Sequence, residues 1–281
     1  MTNVAPITSR RGLFKLAGAM GAAAAFAGTL SACGTSPAQR TSEATNVKGP
    51  TIRAAISYEL GTNGFDPMTT TSALTVAANW HTMEGLTEIL PSGDRQVYAA
   101  LGKALPKKVN DLTYEVTLRE GATFHNGTPV TPEDVVYSFE RVLDPNNKSL
   151  YAGFIGFLDK VEKKDATSVT IKLKQPYSLV AERLAVVKVV PKASATADPK
   201  AFDANPVGTG PYKMVDNSAT SKQVVFEKFE DYTGPRPAKA NSMVWKVMPD
   251  DATRMNALTS KAVSAVDLVP DLSIQSLKAT S

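Results

Sequence analysis

The stretch from Thr123 to Arg141, TFHNGTPVTPEDVVYSFER, constrains the fold more than any other part of the chain, because turn and helix signals follow one another in it without a gap. Phe124-His125-Asn126-Gly127-Thr128-Pro129 reads as a turn: Asn-Gly supplies the positive φ that other residues resist, and Pro129 fixes φ two residues on. Thr131 is placed to accept a hydrogen bond from the free amides of a first helical turn, with Pro132 at the first helical position, where a missing N–H does no harm. Glu133 and Asp134 favour the positive end of the helix dipole. Val135, Phe139 and Val142 then recur at helical spacing, Val136 and Leu143 widen the stripe, and Asp144-Pro145 ends it. Such a segment specifies a helix that enters from a tight turn and presses one face onto an apolar layer.

Alternating strands stand before and after that segment in the chain. Thr113 to Arg119 alternates strictly and places Tyr114, Val116 and Leu118 on one buried face; Ser168 to Lys174 repeats the pattern. Thr51 to Ser57, Lys222 to Phe229 and Ser242 to Met248 read as further strands, and Val186 to Val190 as an apolar one. Helices are expected from Ser72 through Met83, through about Ala185, from an Asp250 or Asp251 cap through Leu258, and from Asp271 onward. Leu150 to Leu158 is apolar but selects neither period.

The first 33 residues read as export signals rather than fold. Ser9-Arg10-Arg11-Gly12-Leu13-Phe14-Lys15 looks like a twin-arginine signal, and the Ala- and Gly-rich run from Leu16 to Thr29 is its mildly apolar continuation, too interrupted for a stable membrane span. Leu30-Ser31-Ala32-Cys33 matches a lipobox, so Cys33 is the expected site of lipidation and residues 1–32 a signal peptide. Residues 33–50 then form a polar tether.

What remains, about 250 residues, is enough for two domains. The formal charge of +4 owes three units to Arg10, Arg11 and Lys15, and elsewhere Lys and Arg are interspersed with acids, which excludes the basic face of a nucleic-acid binder. One cysteine excludes an intrachain disulfide, and two histidines, His81 and His125, make a multi-histidine metal site hard to build. No nucleophile, base and orienting group stand in a recognisable motif, so no catalytic residue, cofactor or metal is expected.

Several blocks in order carry a resemblance. The Phe124-His125-x-Gly127 turn leading to Thr131-x-x-Asp134-Val135 is similar to one found in the family 5 solute-binding proteins of ABC importers, the oligopeptide, dipeptide and nickel group. Phe65-Asp66-Pro67 resembles that family's Leu-Asp-Pro, and Met83-Glu84-Gly85-Leu86 its Tyr-Glu-Gly-Leu, with Met83 for the aromatic. Tyr98 to Gly102 is a weaker match to Pro-x-Leu-Ala, while Pro176-Tyr177 ends a strand as the family does. Pro206-Val207-Gly208-Thr209-Gly210-Pro211-Tyr212 matches almost letter for letter; Asp231 to Pro237 resembles Asp-Tyr-Trp-Gly-Gly-x-Pro with Thr233 for Trp, and Ala265-Val266-Asp267 resembles Gly-x-Val-Asp.

The resemblance implies an α/β, periplasmic-binding-protein-like fold (type II, cluster C): an N-terminal lobe with mixed β-sheets and an inserted α+β domain. It implies residues 51–71 plus 176–281 as the core domain and 72–175 as the inserted one. Family members are much longer, so the second lobe is expected to be absent and this chain to carry one wall of a site formed between lobes, binding peptide weakly or not at all by itself. The loop after the first strand runs beside the ligand in the family, which makes Tyr58, Glu59, Leu60, Gly61, Thr62 and Asn63 the candidate ligand-binding residues; Glu59 can meet a cation and the loop backbone can pair with an extended peptide. A solvated surface loop is the alternative for the same positions.

Other conspicuous residues have plainer readings. Gly208 to Tyr212 lacks the Lys and Ser or Thr of a phosphate loop and is expected to be a structural turn. Trp80 and Trp245 sit in apolar periodic segments and are expected in the core. His125 is expected to hydrogen-bond its own turn, and Asp250-Asp251 to cap a helix.

The function these readings imply is that of a lipid-anchored receptor at the outer face of the cytoplasmic membrane or in the periplasm. It would capture peptides or other small solutes for ABC permease subunits. A short envelope lipoprotein that binds a protein partner is the alternative, and an extracellular hydrolase a third that no residue supports.

Overall fold

The computed structural model describes residues 49–58, 64–218 and 220–280. Cys33, the signal and nearly all of the tether lie outside them, as do Glu59, Leu60, Gly61, Thr62 and Asn63.

Thr131 caps the helix that the sequence announces, α2 (Pro132–Leu143), and Asp134 completes a capping box by reaching back to the Thr131 amide at 3.0 Å. The other oxygen of Asp134 accepts the Lys192 amide at 2.8 Å, so the cap also ties in a distant segment. Val135, Phe139 and Val142 are buried against a four-stranded antiparallel sheet of order β4-β5-β7-β6: β4 (Lys107–Asn110), β5 (Thr113–Thr117), β6 (Leu158–Lys163) and β7 (Ser168–Leu173). Val116 sits opposite Val169 and Tyr114 opposite Ile171, on the face that meets α2. Each such side chain stabilises by about 1.5–3 kcal/mol on burial.

The second sheet has the order β11-β1-β10-β9-β8. Its strands are β1 (Thr51–Ile56), β8 (Tyr212–Asp216), β9 (Gln223–Lys228), β10 (Ser242–Val247) and β11 (Ala265–Val266). β1 runs parallel to β10, in register from Thr51↔Ser242 to Ile56↔Val247, and parallel to β11 on its other side; β10, β9 and β8 are antiparallel in turn. The helix α1 (Ala73–Thr82) packs Leu74 and Ala78 on the face that carries Ala54, Phe226 and Trp245. On the opposite face Ala55 meets Ala257 of α6 (Asp251–Thr259). Two successive alanines on β1 thus leave room for a layer on each side, as a strand buried on both faces requires.

A small hairpin of β2 (Thr87–Ile89) and β3 (Val97–Ala99) follows α1. The helices α3 (Val180–Leu184), α4 (Lys192–Ala197) and α5 (Pro199–Ala204) lie between β7 and β8, and α7 (Asp271–Thr280) comes last. The apolar clusters part near residues 82 and 190: α1 belongs with the five-stranded sheet, whereas Val180, Leu184, Val187 and Val189 join the α2 cluster.

The structure departs from the local expectations at Val186 to Val190 and adds to them elsewhere. Val186 to Val190 is not a strand: its amides are taken by lone partners, Val189 N–H by the Glu84 carbonyl at 2.9 Å and Val190 N–H by the Ser138 hydroxyl at 3.0 Å. α4 and α5 were not anticipated, although Asp198 caps the Ala201 amide at 2.9 Å and Pro199 starts α5. The apolar segment that selected no period becomes a 3-10 turn, Ala152–Ile155, followed by β6.

Candidate functional site

The parallel strands β1, β10 and β11 end at one edge of the sheet, and in open α/β sheets a ligand binds outside the carboxyl ends of such strands. Three connections leave from that edge. The one after β1 is held at Ser57, whose amide and hydroxyl both donate to the Asp267 carboxylate, at 2.8 and 2.7 Å. The one after β10 is held by the Met248 amide on the Ile56 carbonyl at 2.8 Å, and then Asp250 caps α6 through the Thr253 amide at 2.7 Å. Hydrogen bonds from the Thr253 hydroxyl, at 2.6 Å, and from its amide hold the Asp250 carboxyl below its ordinary value, at the positive end of α6. The third connection, after β11, carries Leu268 in the left-handed region at φ 43° with its side chain 58% exposed.

The rim therefore presents Tyr58, 45% exposed, on one connection and the exposed Leu268 and Val269 on the neighbouring one. Exposed apolar side chains suit an organic ligand more than a compact ion. Of the six ligand-binding candidates only Tyr58 lies within the described residues, and it stands at this rim. The loop's return is anchored too: the Phe65 amide bonds the Asp203 carbonyl at 2.8 Å, the Asp66 amide its carboxylate at 3.1 Å, and Asp66 forms a buried ion pair with Arg141. Sequence reasoning missed Leu268, Val269 and Arg254. The signal was present for the first two, since Val266-Asp267 ends a strand and an apolar pair before Pro270 has no helix or strand to belong to.

The conspicuous motifs elsewhere are joints. His125 does not bond its own turn, where Asn126 instead accepts the Thr128 amide at 3.1 Å; its Nε2 donates to the Gly210 carbonyl at 3.0 Å and its backbone amide to the Gly208 carbonyl at 2.8 Å. Burial, with the Lys213 charge in addition, holds the ring down to about 4 against the opposing hydrogen bond to Gly210. Gly208 and Gly210 are glycines for want of space: a Cβ would lie 1.9 Å from the Thr82 carbonyl oxygen at the first and 2.6 Å from that of His81 at the second. A hollow of about 200 Å³ beside this joint is lined by His125, Asn205, Lys213 and Val215 among others, away from the carboxyl-end rim.

Glu84 is buried where three motifs meet, taking Arg119 at 3.3 and 3.1 Å and the Tyr232 hydroxyl at 2.8 Å. Burial pushes its carboxyl up and the Arg119 charge pulls it back. Trp245 is 8% exposed, as expected of a core residue, but Trp80 is 60% exposed: at the third turn of a ten-residue helix it falls on the side away from Leu74 and Ala78. Among the described residues no group of three or more His, Cys, Asp and Glu is placed to hold a metal, and no helix is long and apolar enough to cross a membrane.

Known proteins carry the same pattern. The family described as bacterial extracellular solute-binding proteins, family 5 Middle, matches residues 96–281. Protein XP55 of Streptomyces lividans is 35% identical over 184 residues, 64% of this chain and 33% of that protein. The glutathione-binding protein GsiB of Pectobacterium atrosepticum is 31% identical over 163 residues, 57% of this chain and 32% of that one. The periplasmic binding protein DppA of Helicobacter pylori, solved in complex with the peptide STSA, superposes with a TM-score of 0.72 at 21% identity, covering 82% of this chain and 48% of DppA, a likeness of fold alone. The chain spans about a third of the length of the curated relatives it matches. It belongs to family 5 of the bacterial extracellular solute-binding proteins.

Proposed function

We propose that the protein is the lipid-anchored substrate-binding component of an ABC importer, capturing short peptides outside the membrane and handing them to permease subunits. The observation that carries this reading is the carboxyl-end rim of Tyr58, Leu268 and Val269 in a chain of family 5. Relatives described as binding glutathione or crystallised with a tetrapeptide favour an amide-bearing ligand. The residues Tyr58 to Asn63 would line the ligand, and the chain would form one wall of the site, with residues 51–71 and 176–281 as core domain and 72–175 inserted. Capture needs no chemical step, and no catalytic residue is assigned.

Cys33 would carry the acyl chains after export by a twin-arginine route, with residues 33–50 as tether. Metabolic labelling with an alkyne fatty acid tests the anchor: label should enter the wild-type protein and be lost in Cys33→Ala. Labelling of that variant, or none of either, contradicts it. Titration with Ser-Thr-Ser-Ala and with glutathione tests capture, where weak binding at the rim is expected.

A further inference from the structure

Arg254 lies on α6 and is 1% exposed, an unusual fate for a guanidinium unless its donors are matched. Here the two Nη groups are matched, mostly by backbone, while the buried Nε has no hydrogen-bond partner among the described residues. Nη1 donates to the carbonyls of Met248 at 2.9 Å and Pro249 at 2.7 Å, both in the connection after β10. Nη2 donates to the carbonyl of Leu268 at 3.2 Å, in the connection after β11, and to Asp251. Nε faces the Asp267 carboxylate at 3.7 Å, the same carboxylate that holds the amide and hydroxyl of Ser57 after β1. One rigid, planar fork therefore reaches all three connections at the carboxyl end, two directly and the third through Asp267.

None of these bonds belongs to the strand ladder, so the group adds nothing to sheet pairing. Its acceptors are the backbones of the segments that form the rim. A buried charge is costly to desolvate, and an apolar residue of the same volume often serves stability as well. What an apolar residue cannot do is fix three loop backbones relative to one another. We infer that Arg254 is a positioning residue of the ligand rim, setting Leu268 and the chain at Ser57 in register without touching ligand; the inference rests on the proposed function for its purpose, though not for its geometry.

The test compares the full chain with Arg254→Lys and Arg254→Met. Lysine keeps the charge between Asp251 and Asp267, but its donors share one nitrogen and cannot span the separated loops as the planar fork does. Amide exchange followed by mass spectrometry should rise at least tenfold in 248–250 and 267–269 in both variants, with the amides of β7 and β9 unchanged. A change spread evenly over all segments, or no change in those loops, overturns the inference and leaves Arg254 a general stability residue. A second arm titrates each protein with Ser-Thr-Ser-Ala by NMR, where apparent affinity should fall at least tenfold in Arg254→Lys. Failure of the wild type to respond refutes capture by this wall alone, while the exchange result still decides the positioning claim. An unchanged affinity with loosened loops overturns the role in the rim.

Discussion

The Asp267 carboxylate accepts both the backbone amide and the hydroxyl of Ser57, at 2.8 and 2.7 Å, across a separation of 210 residues. This pair fastens the end of β1 to the end of β11 and fixes where the next residues of the chain begin. Asp267→Ala removes both acceptors and the carboxylate facing Arg254, and should cost about 2–3 kcal/mol, since bonds to a charged group contribute more than neutral ones. Ser57→Ala removes one bond and should cost about 1 kcal/mol. Urea unfolding of both variants checks the order; equal losses would mean that Arg254 does not depend on Asp267.

His125 gives a pH dependence with a definite sign. Its folded value of about 4 lies below its ordinary 6.5, so the unfolded chain binds the proton more readily between those values. Its contribution to stability is therefore complete above pH 6.5 and is lost as pH falls toward 4. The loss should reach about 2 kcal/mol after allowing for partial exposure of the ring. Comparing urea midpoints at pH 4.5 and 7.5 for wild type and His125→Gln isolates it, and the difference between the two proteins should shrink at the lower pH.

Gly208 and Gly127 separate two reasons for glycine. Gly127 has φ 82° with open space around it, so Gly127→Ala should cost about 1 kcal/mol from backbone conformation. Gly208 is not among the positive-φ glycines but has no room beside the Thr82 carbonyl, which the Gly210 amide also holds at 2.9 Å. Gly208→Ala should cost about 3 kcal/mol or more, as overpacking against backbone does. Thermal melts of the two variants measure the contrast.

The two tryptophans should differ as sharply. Trp245→Ala empties a buried site between His81 and Phe226, whose rings lie 5.3 and 4.7 Å away, and should cost about 3–5 kcal/mol. Trp80→Ala should stay within about 0.5 kcal/mol. Glu84→Gln, which leaves Arg119 buried without its carboxylate, should approach the cost of the Trp245 change, about 3–5 kcal/mol.

These contrasts also mark how far the sequence could be read. The helix α2 was legible in full because turn, cap, proline and stripe all agree within one window. So were β5 and β7, whose alternation is local. Val186 to Val190 misled because a short apolar run looks alike as a strand or as a buried extended segment, and only the distant partners Glu84 and Ser138 decide. The short helices α4 and α5 carry too few turns for a period to show. At the candidate site nothing local in the sequence singles out Arg254, because its burial comes from the distant β10 and β11 connections that close over it. Tyr58 was reached through family likeness, and Leu268 becomes visible only when the parallel ends are brought together.

The central claim is that the carboxyl-end rim is the ligand-bearing face, and it is tested most directly by backbone NMR of the chain titrated with millimolar Ser-Thr-Ser-Ala. Shifts confined to Ser57, Tyr58, Met248 to Asp250 and Leu268 to Val269 are the predicted result. Shifts centred instead on Trp80 or on the hollow beside Lys213, or no shifts at the rim at all, would contradict it.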